Sequence, residues 1–176
     1  MAELDGVPEV QVPGSFESLY RMNYPAVVAL VYGLCGSQAA AEDVAQEAFL
    51  RAHQDWRRVS EMDSPEGWVR RVALNLARSQ WRRLRTEAKA TLRLGIADSS
   101  SDAPADALGE AFWAQVRRLP SRQAQAMALH YVEDRSVGEI AKVLGVAEGT
   151  VKALLHQGRE RLRRQLSAKG LVDDET

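Results

Sequence analysis

Ser136-Val137-Gly138-Glu139-Ile140-Ala141-Lys142-Val143-Leu144-Gly145-Val146-Ala147-Glu148-Gly149-Thr150-Val151 is the stretch that decides the fold. It opens as a capping box, in which the Ser136 hydroxyl meets the amide of Glu139 and the Glu139 carboxylate reaches back. Ile140, Ala141 and Leu144 then share one helical face. Gly145 stands where that helix must stop and turn, because glycine takes a positive φ at little cost. Val146 plugs the turn, and Thr150, Val151, Leu154 and Leu155 begin the next helix. A small residue, a glycine four positions on and a valine six beyond that glycine predict a tight helix-turn-helix. Ala141 lets the two helices approach, Gly145 makes the turn and Val151 packs inward.

The helix from Glu148 onward sorts by face. At about 100° per residue, Val151, Leu155, Gly158, Leu162 and Leu166 fall in one arc. Lys152, His156, Arg159 and Arg163 form a stripe beside it. One buried face and one basic face suit a DNA major groove bordered by phosphates. A solvated charged face is the plainer alternative, and the turn signature favours DNA over it. His53, His130 and His156 have no metal-ligand spacing.

Working outward, the whole chain reads as all-α. It is rich in Ala, Leu, Arg and Glu and has few β-branched runs. A first apolar helical stretch covers 16–34, with Pro25 restarting it at a first helical turn. Ser37 caps a helix to about Trp56, and Ser64-Pro65 starts another that reaches about residue 90. Further helices are expected at about 110–118, 121–132, 136–144 and 148–168. Residues 95–109 combine Gly, Pro, Ser and Asp with few bulky apolar side chains, which reads as a flexible acidic linker. The expected layout is a disordered acidic tail (1–14), a helical block (15–94), the linker (95–109), a second helical block (110–168) and an acidic tail (169–176).

Charge follows that layout. The 176 residues carry 23 Lys+Arg and 24 Asp+Glu, a net −1 that taken alone argues against a nucleic-acid binder. The first block is nevertheless +3 and residues 110–170 are +5, with acidic segments between and beyond them.

Within the first block, Arg71, Arg78, Arg82, Arg85, Lys89 and Arg93 project within roughly 80° of one another on an ideal helix. Asn75 lies on the same arc. Trp68 and Trp81 flank it, as packing residues or as stacking partners for unstacked bases. Like charges at helical spacing repel, and an external polyanion would relieve that repulsion. The helix from Ser37 differs. Val44, Ala45, Ala48, Phe49, Ala52 and Trp56 form its inner face. Asp43, Gln46, Glu47, Leu50 and Gln54 form the outer one. A leucine ringed by acids and amides reads as a protein-docking face, and its charge would repel DNA.

Several classes fall away. The single cysteine, Cys35, leaves no internal disulfide or Cys-pair zinc site and reads as packing. No apolar run reaches the roughly 18 residues of a membrane span. The first residues lack the order of a signal peptide, so a cytoplasmic protein is expected. No Gly-rich phosphate loop, Cys/His cluster or serine elbow marks an enzyme. No catalytic residue, metal ligand or cofactor is therefore assigned.

Together these features resemble the extracytoplasmic-function (ECF) sigma factors, small promoter-recognition subunits of bacterial RNA polymerase. The resemblance covers about 15–94 and 110–168. It implies a region 2 helical bundle and a region 4 helix-turn-helix. Asp43-Val44-Ala45-Gln46-Glu47-Ala48-Phe49 is similar to the segment that grips the clamp helices of β′, which makes Asp43, Gln46, Glu47, Leu50 and Gln54 the core polymerase contacts. Pro65-Glu66-Gly67-Trp68-Val69-Arg70-Arg71-Val72-Ala73-Leu74-Asn75 is similar to the segment that melts and reads the minus-ten element. The preceding loop, Ser60, Glu61, Met62, Asp63 and Ser64, would capture a flipped base. With Trp68, Arg71, Asn75, Arg78, Arg82, Arg85 and Lys89 it completes the implied minus-ten site. Leu119-Pro120-Ser121 and Gly145–Lys152 resemble the minus-thirty-five reader, with Ser136, Glu148, Gly149, Thr150, Lys152, His156, Arg159 and Arg163 as its contacts. The implied partners are core polymerase (the β′ clamp helices and the β flap), promoter DNA and an anti-sigma factor, with no membrane contact.

The chain also departs from the family. Ser79 replaces a usual Asp, and Ala147 replaces a Ser that commonly caps the recognition helix. Ala153-Leu154-Leu155-His156-Gln157 lacks two customary polar or basic contacts, so no promoter sequence carries over from relatives. A free-standing helix-turn-helix regulator is the alternative reading. It leaves the basic stripe and docking face of the first block without a use. The linker acids Asp98, Asp102 and Asp106 read either as a strand threading the polymerase's basic channel or as a solvated tether.

Overall fold

The computed structural model describes residues 14–93 and 107–167, with side chains described at all of these except 80–93 and 107–108. Every regular element among them is a helix. The first block holds α1 (Phe16–Cys35), α2 (Gln38–Gln54), α3 (Trp56–Val59) and α4 (Pro65–Arg93). The second holds α5 (Ala107–Val116), α6 (Ser121–Tyr131), α7 (Val137–Leu144) and α8 (Glu148–Ser167).

Local chemistry sets most boundaries. Ser15 caps α1 by accepting from the Ser18 amide at 3.1 Å. Ser37 caps α2 through the Ala40 amide at 3.3 Å, and Ser64 caps α4 through the Gly67 amide at 3.1 Å. Gly36 ends α1 at φ 71°, with its N–H on the Tyr32 carbonyl. The expected helix to Trp56 is two helices, because Asp55 leaves helical geometry at φ −103°, ψ 21°. The expected linker ends sooner than 109, since Ala107–Gly109 already belong to α5. The rest of it lies outside the described residues, as do the two tails.

Pro25 does not restart a helix. It lies inside α1, which runs straight through it. An interior proline costs about 3 kcal/mol. Burial on both sides of it offsets that: Phe16, Leu19 and Tyr24 pack before it, and Val27, Leu30, Val31 and Leu34 after it.

Two hydrophobic cores form, and their membership departs from the two-block reading. One is made within the first block by Val27, Val31, Val44, Ala48, Phe49, Val59, Val69 and Ala73. The other is built mainly from the second block: Val116, Leu119, Met127, Leu129, Ile140, Val151, Leu155 and Leu162. Leu30 and Leu34 of α1 and Leu74 of α4 also belong to it. Helix α1 is thus two-sided, with Val27 and Val31 facing its own bundle and Leu30 and Leu34 facing the other. The blocks are packed against each other through α1 and α4 on one side and α5, α6 and α7 on the other. Close approach is part of this contact, as a Cβ on Gly33 would lie 3.3 Å from the Trp113 ring.

Candidate polymerase and promoter interfaces

The turn predicted from Gly145 is present. Ser136 and Glu139 complete the capping box, with the Glu139 carboxylate 2.9 Å from the Ser136 amide. The Ser136 hydroxyl and amide, with Arg135 beyond them, hold the Glu139 carboxyl below the usual carboxylate range. Gly145 takes φ 66° and its N–H bonds the Ala141 carbonyl. Ala147 offers no capping side chain, and its carbonyl accepts from Thr150 and Val151 instead. On α8, Val151, Leu155, Gly158 and Leu162 are buried, while Leu166 is half-buried. Gly158 allows a close approach there, since a Cβ would sit 3.2 Å from the Met127 side chain, which would have to shift. Glu148, Gly149, Thr150, Lys152, His156, Arg159 and Arg163 are all exposed on the outer side. Arg163 pairs with Glu160 at 2.7 Å and lowers that carboxyl's pKa. Ser136 is exposed at the start of α7.

Helix α2 presents the expected face. Val44, Ala45, Ala48, Phe49 and Ala52 are buried, and Asp43, Gln46, Leu50 and Gln54 are exposed. Leu50 is 51% exposed, a large apolar side chain left in water beside acids and amides. Glu47 is half-buried and holds Arg51 Nε at 2.8 Å, one turn on.

The minus-ten candidates are divided. Ser60, Glu61 and Asp63 are exposed in the loop before α4, and Met62 and Ser64 are half-buried. Asn75 and Arg78 are exposed on α4. Trp68 is half-buried against the first core, so packing is part of its role. The side chains of Trp81, Arg82, Arg85 and Lys89 lie outside the described residues. Arg71 is on the expected face, but it is engaged. Its Nε donates to the Val143 carbonyl at 2.8 Å and its Nη2 to the Lys142 carbonyl at 2.6 Å. A cleft of about 410 Å³ opens between the 62–64 loop and α7, with Trp68, Arg71, Arg135 and Lys142 among its walls.

Two residues that sequence reasoning passed over stand beside Arg71. Arg70 and Glu133 form an ion pair whose side chains are 4% and 5% exposed. Arg70 Nε lies 2.9 and 2.7 Å from the two Glu133 oxygens, and its Nη1 donates to Asn23 Oδ1 at 2.9 Å. A signal was available. On a helical wheel Arg70 shares its arc with Leu74 and Ala77, which are buried. Cys35 is half-buried, and burial pushes its thiol pKa up. Among the described residues no cluster of His, Cys, Asp and Glu is placed to hold a metal. No described helix is long and apolar enough to cross a membrane.

Comparison with known proteins gives these surfaces a context. Residues 19–87 match the family described as Sigma-70 region 2, and residues 109–162 match Sigma-70, region 4. The chain is 30% identical to the ECF RNA polymerase sigma factor SigW of Bacillus subtilis over 168 residues, covering 86% of this chain and 89% of the relative. It is 28% identical to an RNA polymerase sigma-E factor of Streptomyces antibioticus, over 89% and 87% of the two chains. Among solved structures, the fold resembles the sigma factor RpoE of Bartonella quintana, solved with the anti-sigma factor NepR. The TM-score is 0.65 at 22% identity, covering 86% of this chain and 96% of that one. The chain belongs to the ECF sigma factors, the subunits that bind core RNA polymerase and direct promoter-specific initiation of transcription.

Proposed function

We propose that this sigma factor divides its work among three surfaces and carries out no chemistry of its own. The outer face of α2 (Asp43, Gln46, Glu47, Leu50 and Gln54) docks on the β′ clamp helices of core polymerase, with Leu50 as the apolar anchor within a polar ring. The 60–64 loop and α4 (Trp68, Arg71, Asn75, Arg78, Arg82, Arg85 and Lys89) hold the melted minus-ten strand by phosphate contact and stacking. Helix α8 lies in the minus-thirty-five major groove. There Lys152, His156, Arg159 and Arg163 meet phosphates and base edges, and Ser136, Glu148, Gly149 and Thr150 border the groove. The second block also rests on the β flap.

The observation that carries this reading is the pair of opposed surfaces, an acidic face with one exposed leucine on α2 and a basic face on α8. A lone DNA-binding regulator needs the second and has no use for the first. An anti-sigma factor is a further partner. The neighbouring fold of RpoE, solved with the anti-sigma factor NepR, supports this. The exposed Leu50 face is where that partner competes with polymerase.

The test is transcription from a library of promoter fragments with purified core polymerase and this protein. Sequence-specific initiation that requires both supports the reading. Tight specific DNA binding without polymerase, and no effect on initiation, refutes it in favour of the regulator. Glu47→Lys reverses the charge of the docking face and should abolish core binding with the helices intact. Unchanged core affinity would remove α2 from the assignment.

A further inference from the structure

Helix α6 is buried on every side from Gln123 to Leu129. A helix enclosed all round is expected to be apolar throughout, yet α6 carries two glutamines in that run. Gln125 donates to a backbone carbonyl, that of Leu74, at 3.1 Å. Gln123 is used differently. It is 5% exposed, and its Nε2 donates to Oε1 of Gln157 on α8 at 3.0 Å. The rest of its amide is not satisfied, since its own Oε1 is buried without a partner. An unpaired buried polar atom disfavours the folded state, and an apolar side chain of the same shape would avoid that cost. Stability is therefore a poor reason for Gln123, and what it does to Gln157 is a better one.

The two amides meet because α6 and α8 approach closely. Gly158 presents no side chain to Met127, and a Cβ there would lie 3.2 Å from it. Gln123 stands one turn before Met127, and Gln157 is the residue before Gly158. Gln157 itself is exposed. On an ideal helix it lies about 130° from the middle of the buried arc of Val151, Leu155, Gly158 and Leu162. It falls on the side of His156 away from Lys152 and Arg159. It is about two and a half turns into α8, within the length a recognition helix lays along the major groove. Lys152 and Arg159 are cations suited to phosphates, which carry no sequence information directly. Gln157 is a neutral amide, whose hydrogen bonds can tell base edges apart.

The bond from Gln123 decides which edge. A free glutamine pairs with adenine at two points, accepting from N6 through its oxygen and donating to N7 through its nitrogen. In Gln157 the oxygen is engaged by α6, which leaves the nitrogen and its two hydrogens to face outward. Guanine is the base whose major-groove edge offers two acceptors, N7 and O6. The geometry points to Gln157 as a residue that reads guanine in the minus-thirty-five duplex, with Gln123 as the positioning residue that turns its amide away from adenine. The inference rests on the placing of α8 in that groove and adds a base to it.

The experiment uses the full chain with core polymerase and a promoter library randomised over the upstream duplex, with the bound fragments sequenced. Gln157→Ala, Gln123→Met and the two combined are compared with the wild type. The wild type should select guanine at one position, and Gln157→Ala should lose about fivefold of that preference, the effect of one hydrogen bond. Preferences at other positions should persist. Gln123→Met is the sharper arm. It frees the Gln157 oxygen, so the preference at that position should move from guanine towards adenine. The midpoint of thermal unfolding should stay level or rise. A bond that merely ties α6 to α8 gives the opposite pattern, a lower midpoint with base preference unaltered. The combined variant should match Gln157→Ala, because Gln123 acts only through Gln157.

Unchanged selection in Gln157→Ala would overturn the inference. So would a guanine preference kept in full by Gln123→Met, or a wild-type preference for adenine at the position that Gln157→Ala alters. Gln157 is exposed, so its removal leaves the fold intact and this arm stands even if Gln123→Met misfolds. A wild type that selects no upstream sequence would remove α8 from the groove and this inference with it. Selection without a Gln157 effect removes the inference alone.

Discussion

Helices α4 and α8 carry similar patterns and meet different fates. Each has an apolar arc on one side and a row of bases on the other. On α8 the row stands in water from Lys152 to Arg163. On α4 the row begins with Arg71, which is bound to the end of α7, and its neighbour Arg70 is buried against Glu133. Spacing along a helix says which side chains share a face. It does not say what another part of the chain brings to that face.

Substitutions can sharpen this contrast, beginning with the core beneath α8. Leu155→Ala removes a side chain that is 3% exposed and should cost about 2–5 kcal/mol, read by denaturant unfolding. Specific minus-thirty-five binding should weaken with it, since the basic row is only as well placed as the face under it.

Arg71→Ala comes next. It should lower stability by about 0.5–1.5 kcal/mol, since water can reach the two α7 carbonyls it leaves, and it should also weaken minus-ten binding. Lost DNA binding at unchanged stability would show that the α7 contact contributes nothing in solution.

Ser136→Ala should cost about 1 kcal/mol by removing the cap of α7. It should also change the acid response. The Glu139 carboxyl is held below its ordinary value chiefly by Ser136, so its contribution is present above the unfolded carboxyl's pKa. That contribution is lost as pH falls through the lowered value. The acid limb of the melting curve should therefore be shallower in the variant.

The smallest effect on stability is expected from Lys152→Ala, within about 0.5 kcal/mol, because the side chain is exposed. Its effect should appear in DNA binding, as a salt dependence reduced by about one unit of slope. Arg71→Ala and Lys152→Ala thus separate a base held by α7 from one that stands in water on α8.

What could be read from the sequence was what is decided within a turn or two of chain. Ser37, Ser64, Ser136 and Gly145 act on amides or carbonyls three or four residues away, and each cap or turn lies where expected. The faces of α2 and α8 follow from periodicity in the same way. Pro25 reads as a helix restart because propensity is local, whereas the burial that overrides it comes from α2 and α4. The joining of the blocks is not legible in the sequence for a related reason. Val27, Val28, Leu30, Val31 and Leu34 cover more than one face of α1, which marks a helix buried on two sides. That pattern gives no address for the second partner. Arg70 and Glu133 are 63 positions apart, and nothing near either one names the other.

The approach of Trp113 to Gly33 has a practical consequence. Trp56 and Trp68 pack on the first core, whereas Trp113 lies on the core that both blocks share. Among the described tryptophans, Trp113 is the one seated in that shared core, so its indole reports the fit between the blocks. A red shift of native fluorescence in mild denaturant, lost in Trp113→Phe, would report loosening of that joint without any attached dye. Gly33 also acts as a gauge of fit. A Cβ there already crowds the ring, and a leucine in its place would wedge the joint ajar.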